Sequence, residues 1–143
     1  MKRAARKQPV EFKVRPQLSD DDLNELFGRA WPMHETRSFQ PVLRRSLGYI
    51  AAFDGQHLVG FVNVAGDGGL HAFLLDPTVD PSHQRRGIGS ELVRRAAALA
   101  TEAGCAWLHV DFVPALRSFY KGAGFRPSDA GLLPLADRVR TSC

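Results

Sequence analysis

The chain of 143 residues is 44% hydrophobic and 24% charged, which suits a globular unit with a real core and excludes a disordered or low-complexity polypeptide. No apolar run approaches the ~18 to 20 residues of a membrane span, and no hydrophobic stretch follows the basic first residues as a signal peptide requires, so a cytoplasmic protein without membrane contact is expected. Cys105 and Cys143 show neither metal-ligand nor disulfide spacing, so no metal is expected, and the net charge of +4 leaves nucleic acid, bulk water or a phosphorylated small ligand as its partner.

Residues 1–8, with Lys2, Arg3, Arg6 and Lys7, read as a basic leader, and residues 9–143 as one domain. Residues 10–14 alternate apolar and polar as a strand does, until Arg15 and Pro16 stop them. Ser19 reads as a helix N-cap, with Asp20, Asp21 and Asp22 complementing the dipole of a helix that runs to about Gly28. A loop over 31–35 leads to a second, short helix expected within 38–47 and interrupted by Pro41. Residues 49–53 and 58–64 read as strands joined by a hairpin at Asp54-Gly55, and a second glycine turn leads to an apolar strand over 70–75. The polar segment 80–89 carries no strand character. Residues 90–103 are the clearest helix, with Leu92, Val93, Ala96, Ala97, Leu99 and Ala100 on one side and Gly104 as its stop. A strand over 106–112 follows, then a helix opened by Pro114, with Leu116, Phe119 and Tyr120 on one face and Gly122 and Gly124 at its end. The tail over 125–135 is expected to supply one or two short strands.

The chemistry concentrates at Gln84-Arg85-Arg86-Gly87-Ile88-Gly89-Ser90, where a loop enters the longest helix. Glycines at a first helical turn let a ligand approach the backbone, and the free N–H groups there bind anions. Arg85 and Arg86 add full charges, and Arg94 and Arg95 follow on the helix. A phosphate or pyrophosphate site is the physical expectation, although glycines that merely shape a tight turn would read the same. Gly-Lys-Ser/Thr is absent, and the spacing is not Gly-x-Gly-x-x-Gly, which excludes two common phosphate loops.

Gln84-x-x-Gly87-x-Gly89 resembles the acyl-CoA pyrophosphate loop of the GNAT superfamily of N-acetyltransferases, Gln/Arg-x-x-Gly-x-Gly/Ala. Val79-Asp80-Pro81 is similar to that family's Val-x-Pro at the end of its fourth strand, and Phe119-Tyr120 through Gly124-Phe125 resembles its Leu-Tyr-x-x-x-Gly-Phe. Element order agrees from Val10 to Leu135. The resemblance implies an α/β (α+β) GNAT acyltransferase fold, with a central mixed, mostly antiparallel sheet of six to seven strands flanked by about four helices. It implies acetyl-CoA as co-substrate and an amine as acceptor, joined in a ternary complex without an acyl-enzyme. Many family members dimerise through late strands, so a homodimer is open, whereas nucleic acid is not favoured.

Carried onto these residues, the family pattern implies that the fourth and fifth strands splay around the pantetheine arm. Thr78 and Val79 then lie at the strand end, with a bulge expected at Asp76-Pro77-Thr78, and the backbone from Arg85 to Ser90, Ile88 included, holds the pyrophosphate. Tyr120 matches the tyrosine that protonates the departing thiolate, and the alternative is an amphipathic core tyrosine. Some members carry a glutamate or histidine base on the fourth strand; here Asp111 and His71 are the candidates, from a field that includes Asp76 and His109. The family sets its acceptor over the first two helices, where Trp31 and Glu35 would meet a cationic amine, unless Trp31 simply packs on the core. Val113 stands where the family often has asparagine. That departure keeps a second reading open, an acyl-CoA-binding sensor without turnover.

Overall fold

The computed structural model describes residues 9–136, so the leader expected over 1–8 and Cys143 lie outside the described residues. Five strands form one open mixed sheet in the order of the chain: β1 (Glu11–Val14), β2 (Gly48–Asp54), β3 (His57–Gly66), β4 (His71–Val79) and β5 (Trp107–His109). The first four make an antiparallel meander through the expected glycine turns, and β5 joins β4 in parallel after a helical crossover.

Helix α1 (Asp20–Ala30) starts as its sequence dictates, with the Ser19 hydroxyl accepting from the Asp22 N–H at 3.1 Å. Helix α2 (Gln40–Arg45) carries Pro41 in its first turn. The expected interruption is therefore a start, because proline there sacrifices an N–H that has no helical partner. The α1 start also anchors α2: the Asp20 carboxylate accepts from Phe39 N at 2.8 Å and from Gln40 Nε2 at 3.0 Å. Helix α3 (Ile88–Glu102) is the crossover, and α4 (Arg117–Gly122) follows a 3-10 turn over Pro114–Leu116.

Alternation along the strands splits the interior into two cores. Ile50, Ala52, Val62, Val64, Ala72 and Leu74 face α3 and meet Ile88, Leu92, Ala96 and Leu99. Ala51 and Phe61 face the other way, onto Leu23, Leu26, Phe27 and Phe39 of the α1–α2 layer. Gly60 permits the close approach of α3: a Cβ there would stand 3.1 Å from Leu92 Cδ1 and 3.2 Å from Ile88 Cγ2. The start of α3, and with it the glycine turn, is thereby seated on β3.

The expectation of six to seven strands is corrected to five among the described residues, while the four helices are present. Residues 125–136 form no strand. Pro127 and Pro134 lack ladder donors, and beyond Phe125 this tail is exposed throughout, with Leu133 81% and Leu135 89% accessible. The strand expected over 106–112 pairs only at Trp107–His109, because its neighbour turns away.

Candidate active site

The turn in β4 is a bulge. Phe61 pairs with Thr78 and Asn63 with Leu75, so Asp76 and Pro77 together oppose the single residue Val62. Asp76 takes φ 53°, a left-handed backbone that aspartate tolerates better than most residues, and Pro77 needs no ladder donor. The extra residue flips the strand's parity. Leu74 faces α3, but Thr78 is buried on the α1 side, where its hydroxyl accepts from Trp31 Nε1 at 3.0 Å and donates to the Asp76 carbonyl at 3.0 Å.

Beyond Phe73↔His109, β4 and β5 share no further pair. From Leu74 to Val79 the edge of β4 towards β5 is open, and the two strands bound a wedge. At its mouth three elements converge: a Cβ on Gly89 would lie 3.8 Å from Val79 Cγ2 of β4 and 3.5 Å from Phe119 Cζ of α4. Tyr120, 2% exposed, stacks on Phe112 with centroids 4.8 Å apart and meets Phe119 and Phe125 edge-on.

The lead into the glycine turn is pinned at both ends. Asp80 caps the 3-10 turn Pro81–His83, and its Oδ1 accepts from Ser82 N at 3.0 Å and Ser82 Oγ at 2.8 Å. Its Oδ2 accepts from Arg29 Nε of α1 at 2.7 Å. Burial pushes the Asp80 carboxyl up, but these bonds outweigh it and hold the pKa below the ordinary aspartate range. At the far end, His83 Nε2 lies 2.9 Å from Asp54 Oδ2 at the tip of β2, and that bond lowers the Asp54 pKa. Arg85 (φ 61°) and Gly87 (φ 79°) then take left-handed conformations before α3 begins. Gln84, Arg85, Arg86 and Ser90 are exposed, Gly89 is half-buried and Ile88 is buried in the α3 core. Arg94 and Arg95 are bound to Glu91, whose carboxyl they lower to about 2. Arg85 and Arg86 have no ion pair among the described residues, so the cations at the helix N-terminus remain open to an anion.

A bulged fourth strand that parts from the fifth is what the resemblance implied, and a comparison with family models tests the resemblance itself. The model of the acetyltransferase (GNAT) family matches residues 18–125. The chain belongs to the GNAT family. Similar proteins agree with the assignment. The mycothiol acetyltransferase of Brachybacterium faecium is 48% identical over 52 residues, 36% of this chain and 14% of its own length. The probable glucosamine 6-phosphate N-acetyltransferase 2 of Oryza sativa subsp. japonica is 40% identical over 58 residues, 41% of this chain and 35% of its own. The chain thus spans well under two thirds of these two relatives. A GNAT-family acetyltransferase structure from Streptococcus pneumoniae TIGR4 superposes with a TM-score of 0.76 at 25% identity, covering 91% of this chain and all of that one.

Within this GNAT frame the candidate residues separate. Asp111 is exposed two residues beyond the last pair of β5, on one limb of the wedge, and Asp76 lies three residues beyond the last pair of β4, on the other. Burial raises the Asp76 carboxyl, and Arg37 only partly offsets this. His71 instead opens β4 in the closed part of the sheet, opposite Trp107, with Nδ1 2.8 Å from His109 Nε2. It stands roughly 16 Å along the strand from Asp76, at ~3.3 Å per residue. Trp31 is fastened to Thr78, whereas Glu35 is exposed on the loop after α1. In that loop His34 bonds Asn24 Oδ1 at 2.8 Å and stacks on Phe39; burial, then the nearby Arg37, keeps its pKa low. Two functional-looking residues escaped the sequence reading. Asp80 before Pro81 is a legible cap-plus-proline signal, and Asn63 is a polar intruder in an apolar strand. No cluster of three or more metal-ligating side chains occurs among the described residues.

Proposed function

We propose that this protein is an acyltransferase that moves the acetyl group of acetyl-CoA directly to an amine within a ternary complex. The observation that carries the reading is the wedge between β4 and β5, which opens onto the left-handed turn at Gly87. The open β4 edge from Leu74 through Thr78 and Val79 offers backbone groups to the amides of a pantetheine arm. The N–H groups from Arg85 to Ser90, through Gly87, Ile88 and Gly89, face the pyrophosphate, with Gln84 at the turn's entry and Arg85 and Arg86 supplying charge. Gly87 fits that role because nothing lies within 4 Å of where its Cβ would be.

Tyr120 Oη donates the proton to the leaving thiolate, from a ring held by Phe112, Phe119 and Phe125. The amine's proton goes to a carboxylate on a limb of the wedge. Asp76 is favoured because it sits at the bulge on the open limb of β4 and burial raises its pKa, making it the stronger base; Asp111 is second, and His71, below the apex, third. Glu35 and the Trp31 ring bound the acceptor side and favour a cationic approach. Transfer is direct because Cys105, the free cysteine of the described residues, sits before β5 at the opposite end from the wedge, its Sγ 3.7 Å from the Gly69 carbonyl.

Thiol release from acetyl-CoA across a panel of amines tests the reading, together with a search for labelled acetyl on the protein. Intersecting initial-rate patterns are expected, and Tyr120→Phe should lower kcat about 100-fold while CoA affinity holds. A kinetically competent acetyl-protein would defeat direct transfer. Silence across the panel with CoA still bound would favour a sensor, the reading that Val113 in place of the family's asparagine supports.

A further inference from the structure

The α1–α2 face of the sheet holds a second feature that the acyl-donor site does not use. A cleft of about 260 Å³ lies between α2 and strands β3 and β4, lined by Val42, Arg45, Ser46, Asn63, Ala65 and Leu75. Asn63 is 2% exposed, and its Oδ1 is a buried side-chain acceptor with no partner among the described residues. Buried amides are nearly always bonded, and an orphaned one costs stability that valine or leucine at this strand position would not. A ligand N–H or O–H entering the cleft explains why asparagine stands there.

The other lining groups define that ligand. Arg45 is exposed and forms no ion pair among the described residues, so it can take an anion. Ser46 Oγ already donates to the Leu43 carbonyl at 3.1 Å, which leaves its lone pairs for a second donor. Val42, Ala65 and Leu75 are apolar walls, and the volume lies just under the ~300 Å³ at which small-ligand pockets begin. Leu75 opposes Asn63 in the ladder and directly precedes Asp76, so the cleft adjoins the bulge where β4 has lost β5.

We propose that this cleft holds the body of the acceptor, with Asn63 as the residue that reads its hydrogen-bond donor and Arg45 as its anion contact. The acceptor is then a compact amine that carries a carboxylate or phosphate. The proposal rests on the transferase reading above and names the substrate class of that site. It also moves specificity from the Trp31 loop to α2 and β3.

Two matched pairs test it by acetyl-CoA-dependent thiol release: glucosamine 6-phosphate against glucosamine, and leucine against leucinamide. In at least one pair the anionic member should show kcat/KM tenfold or more above its neutral partner, and the pair that responds tells phosphate from carboxylate. Arg45→Gln should bring that pair to parity. Asn63→Leu should raise the acceptor KM tenfold or more with CoA affinity within twofold, and it should melt no lower than the parent, because an unpaired polar atom is gone. Ala65→Phe, which fills the cleft from the β3 side, should raise KM likewise and serves if Asn63→Leu does not fold. Turnover without anionic preference, or with a KM that these substitutions leave unmoved, overturns the cleft and leaves the transferase standing. If none of the four amines is acetylated, the same four are titrated against the CoA-bound chain while the Asn63 side-chain amide is followed by NMR. Shifts from the anionic members uphold the cleft and sink the transferase reading, and no shift overturns the cleft.

Discussion

Replacing Asp80 by asparagine separates the two jobs of one buried carboxylate. Its Oδ1 can still accept from Ser82 N and Oγ, so the 3-10 turn keeps its cap. The amide nitrogen must then face Arg29 Nε, where a carboxylate oxygen now accepts at 2.7 Å, and two donors are opposed. A hydrogen bond to a charged group contributes roughly 1.5 to 3 kcal/mol. The Arg29 side chain is 47% exposed, so water and salt screen part of the loss, and about 1 to 2 kcal/mol is expected at neutral pH. In a chain of this size that lowers Tm by roughly 3 to 8 °C. The pH dependence follows from the direction of the shift. The folded Asp80 pKa is lowered, so its stabilisation is present above the unfolded value of about 3.9 and is lost as pH falls through the folded one. Below it the parent carries a neutral group too, and the gap to the variant closes. Calorimetric melting of parent and variant from neutral pH down through the carboxylate range reads both effects. Melting within 1 °C of the parent at neutral pH, or a gap undiminished in acid, would refute the Arg29–Asp80 link between α1 and the glycine turn.

Gly89→Val tests the phosphate loop. A Cβ fits at ordinary contact with Phe119 and Val79, so alanine is tolerated, but branched methyls press on that ring and into the space proposed for the pyrophosphate. Loss of two charge-assisted hydrogen bonds at roughly 1.5 to 3 kcal/mol each predicts a 100-fold or greater rise in the CoA Kd by calorimetry, in equal proportion for dephospho-CoA. An unchanged Kd in a folded variant would mean that the turn binds nothing. Asp76→Asn should raise Tm at neutral pH, because the raised folded pKa makes stability fall as pH climbs from the unfolded value through the folded one; the gain should vanish in acid. The same variant should lose the acidic limb of the pH–rate profile and about 100-fold in kcat, and a retained limb would move the base to Asp111.

Much of this protein could be read in one dimension, where the determinants are local. The Ser19 cap, the Asp54-Gly55 hairpin, the apolar face of α3 and the glycine turn before it each depend on residues within a few positions of one another, and each stands where its sequence places it, although the left-handed conformation of Gly87 was seen only in the fold. Proline chemistry at position 41 was equally local, though it marks a helix start rather than a break. The bulge at Asp76-Pro77 was legible from the proline, but its consequence was not: shifting parity by one residue turned Thr78 towards Trp31, 47 positions away in the chain. The strand count failed in the tail, where short apolar runs between Pro127 and Pro134 have no ladder to join. Partners distant in sequence were decided by packing alone. Arg29 meets Asp80 across 51 residues because α1 lies against β4, and His71 bonds His109 because the β4–β5 pairing sets them two residues out of register as side-chain neighbours. Asn63 shows the difference most plainly. In sequence it is one polar residue among valines, and only the fold shows it buried beside a cleft with its Oδ1 unpartnered among the described residues. Short-range propensity and capping write themselves into the chain, whereas burial and satisfaction of a polar atom depend on what the fold brings beside it.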